Sequence, residues 1–301
     1  MLNFLPGWLV GSIAMFLLSL NIIFWASILF VVSFLKFLLP FRSATRFFDK
    51  ILWWIAEQWI EGNVLWMKLT QKTNWDVQGL DNLNYQGWYL VVSNHQSWSD
   101  ILILQKMFNQ RIPFLKFFLK RELIWVPIMG LVWWALDFPF LRRHSAEYLK
   151  EHPEQKGKDY ETTRKACMKF SLVPTSVMNF LEGTRFTKAK HDKQKSPHQY
   201  LLKAKAGGIA LALNVLGEKF HSLLDVTIVY PDGIPTFWDF LCGKVKKVIF
   251  RVSNVEIPSH FLEGDYEGDK EFQAVFQQWV QELWKEKDQQ IAALLGAARA
   301  Q

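Results

Sequence analysis

The chain has 301 residues, 50% of them hydrophobic, which suffices for one sizeable domain or two small ones without disulfides or structural metals. Its 15 Trp and 25 Phe indicate a protein located where apolar and polar surroundings meet, such as a membrane surface. The net charge of +7 suits nucleic acid, anionic lipid headgroups or a phosphorylated substrate. The two cysteines, Cys167 and Cys242, exclude a disulfide framework and a cysteine-rich zinc site.

The N-terminal segment, residues 1–46, is expected to be a membrane anchor. No charged residue precedes Lys36, and residues 8–39 are almost wholly apolar. This run exceeds the roughly 20 residues of one membrane span but falls short of two spans with a turn. It predicts either one long tilted helix or a shallow helical hairpin bent near Asn21. The basic residues that follow it place the rest of the chain on the cytoplasmic side: Arg42, Arg46 and Lys50.

Residues 47–74 are expected to form an amphipathic helix. Ile51, Trp54, Ile55 and Trp59 recur at near-helical spacing, with charged residues between them. The helix either lies in the membrane interface or packs its apolar face against the core.

Residues 75–301 are expected to form one α/β domain, because short apolar runs alternate with helical stretches. Strands are predicted at 88–93, 112–118, 137–141, 175–180, 224–230 and 245–255, and helices near 100–109, 159–171, 198–216 and 269–295. The apolar stretch 122–136 contains Pro127 and Gly130 and is too short for a span. It indicates the wall of an apolar tunnel or a second membrane-dipping element. The polar segments 144–159 and 187–198 indicate exposed insertions.

A histidine and a carboxylate follow the first of the buried strands. His95 comes just after the apolar run 88–93, and Asp100 lies five residues later. On a continuous helix, residues five apart diverge by about 140°, so the pair must straddle a turn. Asp100 in a first helical turn can then hold the imidazole N–H and leave the other nitrogen as a base. The same spacing recurs at His260 and Asp265, where no buried strand precedes the histidine. Spacing alone therefore does not identify a catalytic pair.

A second block, residues 178–187, is an apolar strand that ends in Glu-Gly-Thr-Arg. Gly183 permits a tight turn, and Arg185 is then available as a bidentate partner for phosphate.

The blocks in this order resemble the glycerolipid (lysophospholipid) acyltransferase family, over roughly residues 75–260. The resemblance implies an α/β fold with a mixed sheet flanked by helices, His95 as the catalytic base and Asp100 as its partner. It implies that Asn94, Lys120, Glu182, Gly183, Thr184 and Arg185 bind substrate, together with Arg143 at the end of an aromatic-x-x-Arg strand. Lys120 belongs to a Lys-x-Glu-Leu run that includes Glu122, and Pro231 closes the last matching strand.

The resemblance implies that an acyl group moves from acyl-CoA or acyl carrier protein to a lysophospholipid, most simply 1-acylglycerol-3-phosphate. The partners expected are therefore a thioester donor, a lysophospholipid and a membrane, with the bacterial inner membrane as the location. No metal and no cofactor is expected, and no Gly-x-Ser-x-Gly motif supplies an enzyme nucleophile. Backbone N–H groups near the helix start are expected to stabilise the oxyanion.

Three other functions are alternatives to acyl transfer. A non-catalytic membrane adaptor would dispense with His95 and Asp100, and a lipid hydrolase would use water in place of the alcohol. A nucleic-acid binder is disfavoured, because the lysines are scattered or confined to one loop.

Overall fold

The computed structural model describes residues 2, 4–39, 41–141, 174–220, 222–262, 264, 266 and 268–299. The helices are α1 (Gly7–Leu38), α2 (Arg42–Thr70), α3 (Ser99–Phe108), α4 (Met129–Ala135), α5 (Lys188–Gln194), α6 (Gly207–Leu216), α7 (Phe237–Leu241) and α8 (Lys270–Arg299). The strands are β1 (Asn74–Gln78), β2 (Tyr89–Ser93), β3 (Leu115–Phe117), β4 (Leu119–Lys120), β5 (Phe140–Leu141), β6 (Ser176–Phe180), β7 (Ser222–Val229) and β8 (Lys247–Val255). Short 3₁₀ helices cover Arg121–Trp125, Gly217–Lys219 and Ser259–Phe261.

Six strands form a mixed sheet in the order β1-β8-β7-β2-β6-β3. The strands β7, β2, β6 and β3 run parallel, whereas β8 is antiparallel to β7 and parallel to β1. β4 and β5 form a separate parallel pair. The α/β fold with a mixed sheet flanked by helices is therefore confirmed.

Both faces of the central strand β2 are covered. Leu90 and Val92 belong to an apolar cluster that includes residues of α6 and α8, whereas Tyr89 and Val91 belong to a second cluster with residues of α1, α2 and α3. Successive side chains of a strand point to opposite faces. This explains why the run is apolar throughout and does not alternate.

The N-terminal helices α1 and α2 form an antiparallel pair beside the sheet. α1 is continuous through Asn21, so the bend that the sequence allowed there is absent. The Asn21 amide donates to the carbonyl of Trp59 and to Asn63 Oδ1, both at 3.0 Å. A Cβ at Gly62 would lie 2.1 Å from Asn21 Oδ1, so a larger residue there would displace the Asn21 amide from its hydrogen bonds.

Helix α1 is also long and apolar enough to cross a membrane, and 17% of its most apolar window is buried. It contacts the α/β domain near both ends. Gly11 approaches Cys242 of the segment after α7, and Lys36 lies 3.6 Å from the carboxylate of Asp137. α1 therefore runs along the domain, with a row of large apolar side chains exposed on its other side: Trp8, Phe16, Leu20, Ile23, Phe24, Val31, Phe34 and Phe37.

A cavity of about 150 Å³ lies where α1, α2, α3 and α4 meet. Its lining is almost entirely apolar and includes Leu18, Trp59, Val132 and Phe138. Ile101 and Leu102 also line it, directly after Asp100 in α3. The segment 122–136 thus contributes a cavity wall through α4.

Some elements differ from the sequence prediction. The helix predicted over 198–216 begins only at Gly207, because tertiary contacts take the preceding backbone N–H groups. Those of Gln199 and Tyr200 donate to Asp288, and that of Leu202 donates to Glu182. β1 was not predicted, because it is a half-exposed edge strand without an apolar run. Residues 187–198 contain the short helix α5, where a loop was expected.

Several predictions lie outside the described residues: the helix near 159–171, the insertion 144–159, Cys167, Arg143 and Asp265.

A buried lysine of the C-terminal helix α8 donates hydrogen bonds to β7. Lys287 is 1% exposed, and its ammonium donates to the Val226 carbonyl at 2.7 Å and to Thr227 Oγ1 at 2.9 Å. It also lies 2.7 Å from Asp225 Oδ1. Burial lowers the pKa of Lys287 and raises the pKa of Asp225, and each charge offsets part of the other's shift.

We expect Lys287→Met to destabilise the fold by about 3–5 kcal/mol, because it leaves the Asp225 carboxylate buried without its cation. Thermal unfolding in detergent measures this. Lys285→Met removes an exposed lysine from the same helix and is expected to have little effect. A Lys287→Met protein as stable as the wild type would show that the pair contributes nothing.

Candidate functional site

Three loops meet at the carboxyl ends of the parallel strands β2, β6 and β7. They are residues 94–98, 181–187 and 230–236. Ligand sites of open α/β sheets lie at this edge. The loops bring together the two sequence blocks predicted to form the site.

His95 and Asp100 are in contact, as the sequence predicted. His95 Nδ1 lies 3.1 Å from Asp100 Oδ2. Asp100 lies in the first turn of α3 and is fully buried, whereas His95 keeps 9% of its surface exposed. Within the described part of the chain no hydrogen bond reaches Nε2. The imidazole can therefore meet a ligand through Nε2 while the carboxylate holds Nδ1.

Asp100 also accepts hydrogen bonds from the loop 94–98 and from Tyr230, the residue after β7. Its Oδ2 accepts from the backbone N–H groups of Gln96 at 2.7 Å and Ser97 at 2.5 Å. Its Oδ1 accepts from the Tyr230 hydroxyl at 2.5 Å, and Ser99 Oγ lies 3.1 Å from that hydroxyl. Four donors therefore fix the carboxylate. The N–H groups of Gln96 and Ser97 are occupied, so they do not supply the expected oxyanion contact.

Burial raises the pKa of Tyr230 well above its usual value, and the nearby Asp100 carboxylate adds to the shift. The phenol therefore stays protonated at neutral pH and donates to Asp100.

The segment 180–186 fixes His95 at three points. The His95 N–H donates to Glu182 Oε1 at 2.7 Å, and its carbonyl accepts from the Phe186 N–H at 2.7 Å. The Phe180 ring stacks on the imidazole with centroids 3.8 Å apart and planes 13° apart. The backbone and the ring plane of His95 are therefore both set by the Glu-Gly-Thr-Arg block.

Glu182 and Asn94 were predicted to bind substrate, and the structure shows both in hydrogen bonds to backbone groups. Both side chains are fully buried. Glu182 accepts from His95 with one oxygen and from Leu202 N–H with the other, at 3.0 Å. Asn94 pairs with both backbone groups of Ile228, at 2.8 and 2.9 Å. Through these bonds Glu182 connects the His95 loop to Leu202, and Asn94 connects it to β7.

The remainder of the second block forms a tight turn. Gly183 has φ +65°, a conformation that side chains disfavour. The Lys190 ammonium donates to Thr184 Oγ1 at 2.8 Å and to the Arg185 carbonyl at 3.0 Å. The Arg185 guanidinium lies 4.4 Å from the centroid of the half-exposed Trp98 ring. Arg185 thus reaches the His95 loop through Trp98.

Lys120 lies exposed on β4, paired with Leu141 of β5. This strand pair is separate from the main sheet, and Arg143 lies outside the described residues. His260 is exposed in a surface 3₁₀ helix. Among the described residues, no group of three or more His, Cys, Asp or Glu side chains has the geometry of a metal site.

Sequence reasoning missed Tyr230, Phe180 and Lys190. Tyr230 is the last residue of a predicted strand and directly precedes Pro231, a position at the active edge of the sheet. The contacts of Phe180 and Lys190 depend on loop geometry that no local pattern reveals.

An acyltransferase family model matches residues 74–231. The chain is 26% identical over 180 residues to 1-acyl-sn-glycerol-3-phosphate acyltransferase gamma of Mus musculus, covering 56% of this chain and 43% of the relative. It is 27% identical over 218 residues to 1-acyl-sn-glycerol-3-phosphate acyltransferase 3 of Arabidopsis thaliana, covering 67% and 52%. The chain spans about half the length of these relatives.

The crystal structure of the 1-acyl-sn-glycerophosphate acyltransferase PlsC from Thermotoga maritima superimposes with a TM-score of 0.55. The two chains are 18% identical, and 95% of each is covered. This likeness concerns the fold.

We expect Glu182→Gln to lower kcat, by about 10-fold or more, with little change in the KM for the acceptor. Each carboxyl oxygen of Glu182 accepts from one backbone N–H, whereas the amide nitrogen of glutamine cannot accept, so one N–H would lose its acceptor and the His95 loop would shift. Steady-state kinetics with each substrate varied in turn measures this. A large rise in acceptor KM at constant kcat would instead support the substrate-binding role.

Stability against pH serves as the control for this variant. Burial raises the pKa of Glu182 from 4.5 to about 8, so the folded protein keeps a proton that the unfolded chain loses in this window. The wild type therefore loses stability from Glu182 as the pH rises from 4.5 to 8, and the variant does not. The gap between their unfolding temperatures should change across this range and stay constant outside it.

Proposed function

This chain belongs to the acyltransferase family, and we propose that it transfers a fatty acyl group from a thioester to the free hydroxyl of a lysophospholipid. The first acceptor to consider is 1-acylglycerol-3-phosphate, which would give phosphatidic acid. The observation that carries this proposal is the His95–Asp100 pair with Nε2 open to the cleft and Arg185 beside it.

The acceptor hydroxyl would attack the thioester carbonyl while His95 Nε2 takes its proton. Asp100 holds the Nδ1–H and stabilises the imidazolium that forms. Collapse of the tetrahedral intermediate breaks the C–S bond, and the leaving thiolate takes the proton back from His95. The net result is one ester and one free thiol, with no enzyme nucleophile required.

Arg185 would bind the acceptor's phosphate. A guanidinium keeps its charge at every physiological pH and offers two parallel N–H donors to phosphate oxygens. The cavity lined by Ile101 and Leu102 of α3 supports an acyl chain as one part of the substrate, because it is almost devoid of polar groups and shares α3 with Asp100.

The protein would meet its lipid substrates through the exposed apolar side of α1. Large apolar side chains in such numbers are costly in water and stable in a bilayer. With α1 in the membrane, the α/β domain lies on the cytoplasmic side of a bacterial inner membrane, where acyl-CoA and acyl carrier protein are available.

His95→Ala is expected to reduce transfer of labelled acyl chains from acyl-CoA to lysophosphatidic acid by about 100-fold or more, since it removes the general base. Thin-layer or mass-spectrometric detection of phosphatidic acid measures this. His260→Ala is the matched control, because it removes the surface histidine with the same downstream spacing to an aspartate, and it should stay fully active. Undiminished transfer by His95→Ala would refute the mechanism.

A panel of lysophospholipids with one acyl donor tests the acceptor. We expect lysophosphatidic acid to give the highest kcat/KM, because its terminal phosphate leaves the most oxygens for Arg185. A higher value for a zwitterionic lysolipid would reassign the headgroup while leaving acyl transfer intact.

A further inference from the structure

The loop that carries His95 also holds the arginine of the other block. Trp98 lies three residues after His95, and its ring stacks under the Arg185 guanidinium at 4.4 Å. Arg185 lies three residues after Glu182, the anchor of the His95 backbone. The two loops are thus joined by backbone contacts inside the fold and by this stacked pair at its surface.

We propose that Trp98 is a positioning residue that holds Arg185 above the His95 loop, so that a bound phosphate of the acceptor sits at a fixed distance from the catalytic nitrogen. This inference rests on the proposed function and extends it to a residue with no chemistry of its own.

The geometry of the pair leaves the guanidinium ready for an anion. The Trp98 ring contacts the guanidinium without accepting a conventional hydrogen bond from it, so its N–H groups stay available to an anion. Within the described part of the chain no carboxylate or carbonyl accepts from them. The neighbouring Lys190 ammonium, by contrast, is engaged by Thr184 and the Arg185 carbonyl and fixes the turn beneath.

The exposure of Trp98 also needs an explanation. Its side chain follows a buried loop, yet 49% of it is exposed. Core packing therefore accounts for only part of the indole. Among aromatic side chains the indole makes the strongest cation–π contact, and a flexible arginine held by one loses less entropy when phosphate binds.

The test compares Trp98→Leu, which removes the ring, with Trp98→Phe, which keeps one. We expect Trp98→Leu to raise the KM for lysophosphatidic acid by about 3- to 30-fold, the range that loss of a cation–π contact explains, with kcat within about 2-fold of the wild type. Trp98→Phe should restore most of the loss. The KM for acyl-CoA at saturating acceptor should stay unchanged.

The matched control is Trp88→Leu. Trp88 stacks with Lys219 at 5.2 Å, at the opposite end of β2 from the site, so its loss removes a similar surface contact without touching the His95 loop. It should leave both KM values unchanged. Melting temperatures of all three variants separate a kinetic effect from partial unfolding.

Other outcomes overturn the proposal. A rise in the KM for acyl-CoA alone would mean that Arg185 binds a phosphate of the donor. A loss of kcat without a change in either KM, or equal KM values for Trp98→Leu and the wild type, would mean that the pair is only structural.

A binding measurement keeps this test independent of the proposed function. Glycerol 3-phosphate is a soluble probe of the headgroup, and we expect it to raise the melting temperature of the wild type and of Trp98→Phe more than that of Trp98→Leu. If the probe stabilises the wild type but the wild type acylates no lysolipid, the proposed function is refuted and the phosphate site is still supported. Equal shifts in the wild type and Trp98→Leu would mean that Trp98 does not position Arg185, which overturns this inference.

Discussion

The structure of the site depends on how His95 is held. Its N–H, its carbonyl and its ring each contact a different residue of the segment 180–186: Glu182, Phe186 and Phe180. A general base must keep its geometry to within a fraction of an ångström, and a surface loop alone does not provide that precision. Because the His95 loop is tied to the end of a neighbouring strand, the two sequence blocks form one rigid unit.

The same constraint extends outward from the site. The N–H of Leu202 satisfies the second oxygen of Glu182, which keeps the segment before α6 extended. Asn94 of the His95 loop donates a hydrogen bond to β7, and Lys287 of α8 donates to the same strand. On the other face, α3 carries Asp100 and lines the apolar cavity beside α1 and α4. Residues far from the cleft therefore help to set the position of Nε2.

The sequence predicted the parts of the fold that local patterns specify. The buried strands around Val91, Met178 and Leu224 are continuous apolar runs, and the turn between His95 and Asp100 follows from helix geometry. It could not predict contacts made across loops. A glutamate in a block that resembles a substrate site is naturally assigned to substrate, and only the fold shows Glu182 turned inward onto backbone N–H groups. The prediction of a helix before Gly207 was wrong for the same reason. The backbone N–H groups there donate to side chains distant in sequence and not to helical carbonyls.

In the proposed reaction, an acyl thioester and a lysolipid alcohol form an ester at the His95 site. The most direct measurement is the number of phosphatidic acid molecules formed for each thiol released, with purified protein in vesicles that contain lysophosphatidic acid and acyl-CoA. The account predicts a ratio of about one, because the alcohol and not water attacks the carbonyl. Thiol release accompanied by free fatty acid would identify a hydrolase, and no thiol release would indicate an inactive adaptor; either result would contradict the account.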